Sequence, residues 1–255
     1  MSVISKIKTV FWYLGRPKYY NQLYNLVKLR LFGDRKENTR TLSETWCEHI
    51  GLETHEALKI LTGNDCPEII NLYPKIFKAA KEIVKNLPVK MGGAGNLTLL
   101  YHLCEYSKAT NVIETGVANG WSSLAILLSL HKRNNSLLIS SDMPYAKMGN
   151  EDFVGCVVPN NLKNNWELIR MPDREALPKA FAKIEILDLC HYDSDKTYQG
   201  RMWGYPKLWK KLKKGGYFIS DDIGDNIAFK DFTDGLGIEP IVAKQGNQFI
   251  GIIRK

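Results

Sequence analysis

Short apolar runs alternate with stretches of helical period along this chain, the pattern of a parallel sheet with crossover helices. Val112 and Ile113 form the first run, which closes on the acid Glu114. Leu137–Ser141, Trp166–Met171, the unbroken run Ile184–Tyr192 and Tyr217–Ser220 follow as four further strands. Glu239–Ala243 and Phe249–Ile253 flank Lys244-Gln245-Gly246-Asn247-Gln248, which reads as an antiparallel hairpin. Between strands, a helix over residues 203–213 is expected to stop at Lys213-Lys214-Gly215-Gly216. Ahead of them, Thr41–Leu61 suits one or two short helices, Pro74–Asn86 a helix with Ile76, Phe77, Ala80 and Val84 inward, and Leu97–Tyr106 another.

Residues 2–32 read as two helices broken at Gly15-Arg16-Pro17. Ile4, Ile7, Phe11 and Leu14 share one face; Tyr20, Leu23, Tyr24, Val27 and Leu31 share another. The polar stretch 33–41 reads as a linker. The expected organisation is a basic amphipathic helical extension and linker over 1–40, a helical cap over 41–90, and an α/β, Rossmann-like domain over 91–255.

The turn after the first strand organises the rest. Gly116 permits a sharp turn, Gly120 lets a ligand approach the main chain, and Ser122 and Ser123 stand where the free N–H groups of a helix start gather. Such a strand–turn–helix suits a nucleotide-type ligand, although glycines at this position also serve packing. Asp142 ends the second strand, where the ribose hydroxyls are held in such sheets, unless it is a loop or cap residue. Because carboxyl ends of strands line one crevice, Glu114, Asp142, Asp173, His191, Asp193, Asp221 and Asp222 are expected to converge. Met91–Asn96, with Gly92 and Gly93, is either a lid over the ligand or a plain inter-helix loop.

Composition narrows the classes. Hydrophobic residues make up 44% of the 255, enough for a folded core. Six units of the net +8 come from Lys6, Lys8, Arg16, Lys18, Lys28 and Arg30 in residues 1–33, which hold no acid. The rest of the chain is nearly neutral, which disfavours nucleic acid as a partner, and no Asn-Pro-Pro-Tyr target-base motif occurs. The basic extension suits an anionic membrane surface or a membrane-bound partner, or else packs on the body or on a second subunit of a homo-oligomer. Five scattered cysteines without Cys-x-x-Cys spacing, no spanning segment and no signal peptide suit a cytoplasmic protein, peripheral at the inner face of the membrane if the extension docks.

Glu114-x-Gly116-x-x-x-Gly120 resembles motif I of class I S-adenosylmethionine (SAM) methyltransferases. That resemblance implies a seven-stranded sheet with a terminal antiparallel hairpin and a SAM site drawing on Gly92, Gly93, Glu114, Gly116, Gly120, Ser122, Ser123, Asp142, Asp173 and His191. Asp193-Ser194-Asp195-Lys196-Thr197-Tyr198-x-Gly200, then Gly215-Gly216 and Asp221-Asp222, is similar to the branch holding macrolide-sugar and aminocoumarin-sugar O-methyltransferases and surface-glycan relatives, over roughly residues 90–255. It implies a sugar or glycan hydroxyl as acceptor, Mg²⁺ held by Asp193, Asp221 and Asp222, and catalytic roles for His191, Asp193 and Asp222. Oxygen ligands suit a hard cation, but Asp221 and Asp222 equally suit a helix cap, and His191 a hydrogen-bonded strand-end residue. Many relatives carry histidine where Lys196 stands, which leaves the role of that position open. A nucleic-acid methyltransferase and a non-catalytic SAM-binding scaffold are the rival readings.

Overall fold

The computed structural model describes residues 3–32, 35–143, 145–146 and 148–255; of the predicted extension and linker, Ser2, Gly33, Asp34 and the side chains of Ile4 and Ile7 lie outside the described residues. Helices α1 (Val3–Leu14) and α2 (Tyr20–Phe32) form the extension. Next come α3 (Arg40–Ile50), strand β1 (Gly51–Glu53), α4 (Thr54–Thr62), α5 (Ile69–Leu72) and α6 (Pro74–Lys85). The alternating part runs α7 (Leu97–Tyr106), β2 (Asn111–Thr115), α8 (Trp121–Leu130), β3 (Leu137–Ser141), β4 (Trp166–Ile169), α9 (Asp173–Lys183), β5 (Leu187–Tyr192), α10 (Tyr198–Lys211) and β6 (Leu212–Ser220). It closes with α11 (Ala228–Leu236), β7 (Ile241–Gln245) and β8 (Gln248–Arg254).

Among the described residues one sheet holds eight strands in the order β1-β7-β8-β6-β5-β2-β3-β4. Only β8 runs antiparallel to its neighbours, and Gly246 supplies the positive φ that its tight hairpin turn with β7 needs. The parallel strands and the terminal antiparallel hairpin are those expected from sequence. Strand β1 is an addition to the expected seven; at three residues it is too short to show a period. It pairs parallel with β7, and α4 and α6 place Ala57, Leu58, Phe77 and Ala80 in the same apolar cluster as α7 and α8. Residues 41–90 therefore share the core of the sheet rather than standing apart as a cap.

Helix α8 explains why the centre is rigid. Every residue but Ser122 is buried, so it is a core helix without a wet face. Strand β5 is buried along its whole length, as a central parallel strand should be. Sequence boundaries move most around α10 and β6. Helix α10 begins at Tyr198, where the Thr197 hydroxyl accepts from Gly200 N at 2.9 Å, and ends at Lys211. Gly215-Gly216 lies inside β6, beside a register shift against β5, rather than at a helix end.

At the far end of the sheet, Asp188 of β5 binds the start of β2 and the edge of β6. Its Oδ2 accepts from Thr110 N at 2.7 Å, Asn111 N at 2.8 Å and Thr110 Oγ1 at 3.0 Å, while Lys213 Nζ lies 2.7 Å from Oδ1. Burial opposes its charge, but Lys213 and the two amides outweigh that and hold its pKa below the usual range. Asp188→Ala should lower the unfolding free energy by about 2–3 kcal/mol, since buried donors lose their acceptor. Asp188→Asn, which keeps one acceptor oxygen, should cost less; urea denaturation of both variants at neutral pH measures the difference.

Candidate active site

The chain order reverses between β5 and β2, and a crevice opens there at the carboxyl ends of the strands. A cavity of about 530 Å³ occupies it, within the range of small-molecule sites. Its floor is the β2–α8 turn: Gly116, Val117 and Ala118, with Trp121 and Ser122 of α8. Asp142, just past β3, braces that turn, its Oδ2 accepting from Val117 N at 2.9 Å and Ala118 N at 3.0 Å. Burial raises its pKa against the lowering pull of those two amides. Asp173, at the start of α9, accepts from Ser141 Oγ at 3.0 Å and from Ser194 Oγ. Burial lifts its pKa to about 6 although both hydroxyls work the other way.

The glycine segment Met91–Asn96 lies along the rim. Gly92, Gly93 and Gly95 all line the cavity, and Asn119 Nδ2 donates to Gly92 O at 3.3 Å. A Cβ at Gly93 would meet nothing within 4 Å, whereas one at Gly95 would stand 3.2 Å from Asp221 Oδ2. The segment thus approaches both the β2–α8 turn and the end of β6, the position a lid requires.

Not every residue singled out from sequence faces this space. Glu114 is fully buried and points beneath the turn, accepting from Ser123 Oγ at 2.5 Å and Ser140 Oγ at 2.7 Å. Glu114 and Ser123 are therefore inner supports, not cavity walls. Gly120 is turned away as well: with φ +92° it packs on Gly155, and an added Cβ would come within 2.8 Å of Gly155 Cα. Its lack of a side chain serves chain packing rather than ligand approach. Gly116, φ +84°, packs likewise against the Asp193 carbonyl, 2.5 Å from where its Cβ would stand, but still lines the cavity.

His191 is also fully buried, and it lies between two acids. Its Nδ1 is 3.6 Å from Glu114 Oε1 and its Nε2 is 3.4 Å from Asp221 Oδ2. Burial disfavours the imidazolium, but Asp221 and then Glu114 outweigh it and raise the pKa to about 10. His191 thus sits behind the cavity wall, between Glu114 and Asp221, and does not itself line the cavity.

Asp193, Asp221 and Asp222 do come together at the cavity. Lys196 stands among them, with Nζ 3.2 Å from Asp193 Oδ1 and in contact with Asp222 Oδ2, while Asp221 is directed at His191. Among the described residues no set of three His, Cys, Asp or Glu side chains converges to hold a metal ion. The expected Mg²⁺ site does not fit this arrangement, because an ammonium already lies between two of its three carboxylates. Asp222 adopts the left-handed conformation, φ +51°, and its carbonyl accepts from the buried Arg201 at 2.8 Å. Asp193 has its pKa lifted to about 7, mainly by burial and then by Asp221, with Lys196 pulling the other way.

Sequence reading did not single out Trp121, Tyr145, Trp203, Gln248 or Gln22 of α2, all of which line the cavity. Trp121 carried the one usable signal, a helix start directly after Gly120.

Residues 113–223 match the family described as "Methyltransferase domain". No curated protein matches the chain in sequence. Among solved structures, an O-methyltransferase from Bacillus cereus in complex with SAH is similar at TM-score 0.52 and 15% identity, covering 86% of this chain and 98% of the other. A methyltransferase from Geobacter sulfurreducens aligns at TM-score 0.51 and 16% identity, over 73% and 93%. The O-methyltransferase TomG from Streptomyces achromogenes, in complex with SAM, aligns at TM-score 0.50 and 15% identity, over 87% and 99%.

The buried charge pair makes a measurable prediction. The folded pKa of His191, about 10, lies above its ordinary 6.5. Its stabilisation is therefore full below about pH 6.5 and is lost as pH rises through about 10. His191→Gln should cost about 3 kcal/mol or more at pH 6.5 by leaving buried carboxylates unpaired. Thermal melts from pH 6.5 to 10 should fall more steeply for the parent chain than for this variant. Sheet, terminal hairpin and switch-point crevice lead to one conclusion: the chain has the class I methyltransferase fold, and residues 113–223 of it match a methyltransferase-domain family.

Proposed function

We propose that this chain is a SAM-dependent O-methyltransferase that methylates a hydroxyl of a sugar or glycan. The observation carrying the reading is the pairing of Asp193 with Lys196 at the wall of the switch-point cavity. Two similar structures hold SAM or SAH, and the residues present here suit that ligand. Asp142 keeps one carboxylate oxygen clear of the Val117 and Ala118 amides for a ribose hydroxyl. Gly116, Ser122 and the open edge at Gly92 and Gly93 leave room for the amino-acid end. When bound, SAM supplies a methyl group already activated by its sulfonium.

The chain must then orient the acceptor oxygen and take its proton. Asp193 reaches the cavity and carries a raised pKa, which suits a general base near neutral pH. The Lys196 ammonium, 3.2 Å from it, gives the developing alkoxide a positive partner. Asp222 and Gln248, both at the cavity, offer further partners for the neighbouring hydroxyls of a sugar. Lys196 thereby supplies the positive charge expected of Mg²⁺.

Turnover of isotopically labelled SAM on a panel of glycosylated acceptors tests this reading, with the label expected on a hydroxyl oxygen. Asp193→Asn should lower kcat on the order of 10²-fold or more, with SAM affinity by titration calorimetry unchanged. Lys196→Met should act alike, and Lys196→Arg should retain part of the rate. Activity should persist in EDTA. A loss in EDTA that Mg²⁺ restores would contradict the role given to Lys196, and label on nitrogen or carbon would contradict O-methylation.

A further inference from the structure

Half of the large apolar side chains exposed among the described residues lie in one short stretch. Of sixteen, eight fall between Val10 and Leu31, and the other eight are scattered from Leu42 to Ile186. On α2, Tyr20, Tyr24, Val27 and Leu31 recur at helical spacing and form one stripe. That stripe does not pack on the body: Tyr24 and Leu31 are each 67% exposed. On α1, Phe11 is 68% and Leu14 52% exposed. The extension is nonetheless a defined unit. Tyr13 and Tyr19 are buried, Trp12 stacks on Tyr19 with ring centroids 5.6 Å apart, and the Arg16 guanidinium covers Trp12 at 4.4 Å.

Its other side is fixed to the domain. Asn21 Nδ2 donates to Glu175 Oε1 at 3.3 Å, Arg16 lies 3.6 Å from Glu151, and Gln22 lines the cavity. At 100° per residue, Gln22 falls nearly opposite the stripe of Tyr20 and Tyr24. Helix α2 therefore turns Gln22 toward the cavity and an apolar stripe to solvent.

We propose that this face docks on an anionic lipid bilayer, with the apolar stripe in the headgroup–acyl boundary and the basic residues on lipid phosphates. Charge selects this occupant. Residues 1–33 carry six basic residues and no acid, so two copies placed face to face would bring like charges together with no acid from either extension to pair them. Negative headgroups supply the missing partner, and basic residues flanking aromatic and aliphatic ones suit the interface. Among the described residues no helix is long and apolar enough to cross a membrane. Docking would set the cavity within about one helix diameter of the bilayer, on the order of 10 Å.

Flotation of the full chain with phosphatidylcholine vesicles, with and without phosphatidylglycerol, tests the proposal. Anionic vesicles should bind at least about tenfold more tightly than neutral ones, and high salt should remove the difference. A triple variant, Phe11→Ser with Tyr24→Ser and Leu31→Ser, should lose vesicle binding while keeping the far-ultraviolet dichroism and SAM affinity of the parent. No binding to anionic vesicles, equal binding to both compositions, or undiminished binding by the triple variant would overturn it. So would light scattering that shows a stable dimer dispersed by the same triple variant, because the stripe would then be covered by a second copy.

Discussion

A buried histidine set between two carboxylates is the constraint on which the centre of this protein depends. Glu114 is the next-to-last residue of β2, His191 stands beside it in register on β5, and Asp221 follows β6. Three neighbouring parallel strands are thereby joined by charge at their carboxyl ends, where the crevice opens. Two acids there would repel, and a lone buried imidazole would lose its proton; together they form a line of alternating sign. Ser123 and Ser140 complete it by donating to Glu114, so α8 and β3 are drawn into the same network.

That network decides which groups remain for chemistry. Glu114 and His191 are used beneath the floor, and Asp221 has one oxygen turned to the imidazole. Asp142 is left with one oxygen clear of the turn, and Asp193 with Lys196 faces the cavity. The acid that most resembles a cofactor ligand in sequence is thus structural. In the proposed function Lys196 stands at the acceptor side, where its fixed ammonium would put a positive charge beside the reacting oxygen without three free carboxylates.

Much of the fold is legible from residues 91–255. Strand β3 and helix α7 fall where sequence places them, because polar or glycine-rich segments bound each apolar run. Helix α10 is disguised by Gly200, Gly204 and Pro206, residues that ordinarily interrupt helices. Their reason is packing: a Cβ at Gly200 would run into the Asp195 carboxylate, and one at Gly204 would come within 2.7 Å of the Tyr192 ring. The carboxylates of the strand ends are legible as a set, but not their directions. Glu114 points toward α8 because its burial is satisfied by Ser123 and Ser140, partners set by tertiary packing and not by spacing. The amphipathic extension is visible in sequence; that its apolar stripe faces outward is not.

In the proposed function the switch-point cavity holds the cofactor with its reactive end toward Asp193 and Lys196. A crystal structure of the chain with S-adenosylhomocysteine is the decisive test. The ribose is expected on Asp142, the homocysteine end along Gly116 and Gly92–Gly93, and the sulfur facing the Asp193–Lys196 pair. A ligand seated elsewhere, or one whose sulfur faces away from that pair, would contradict it.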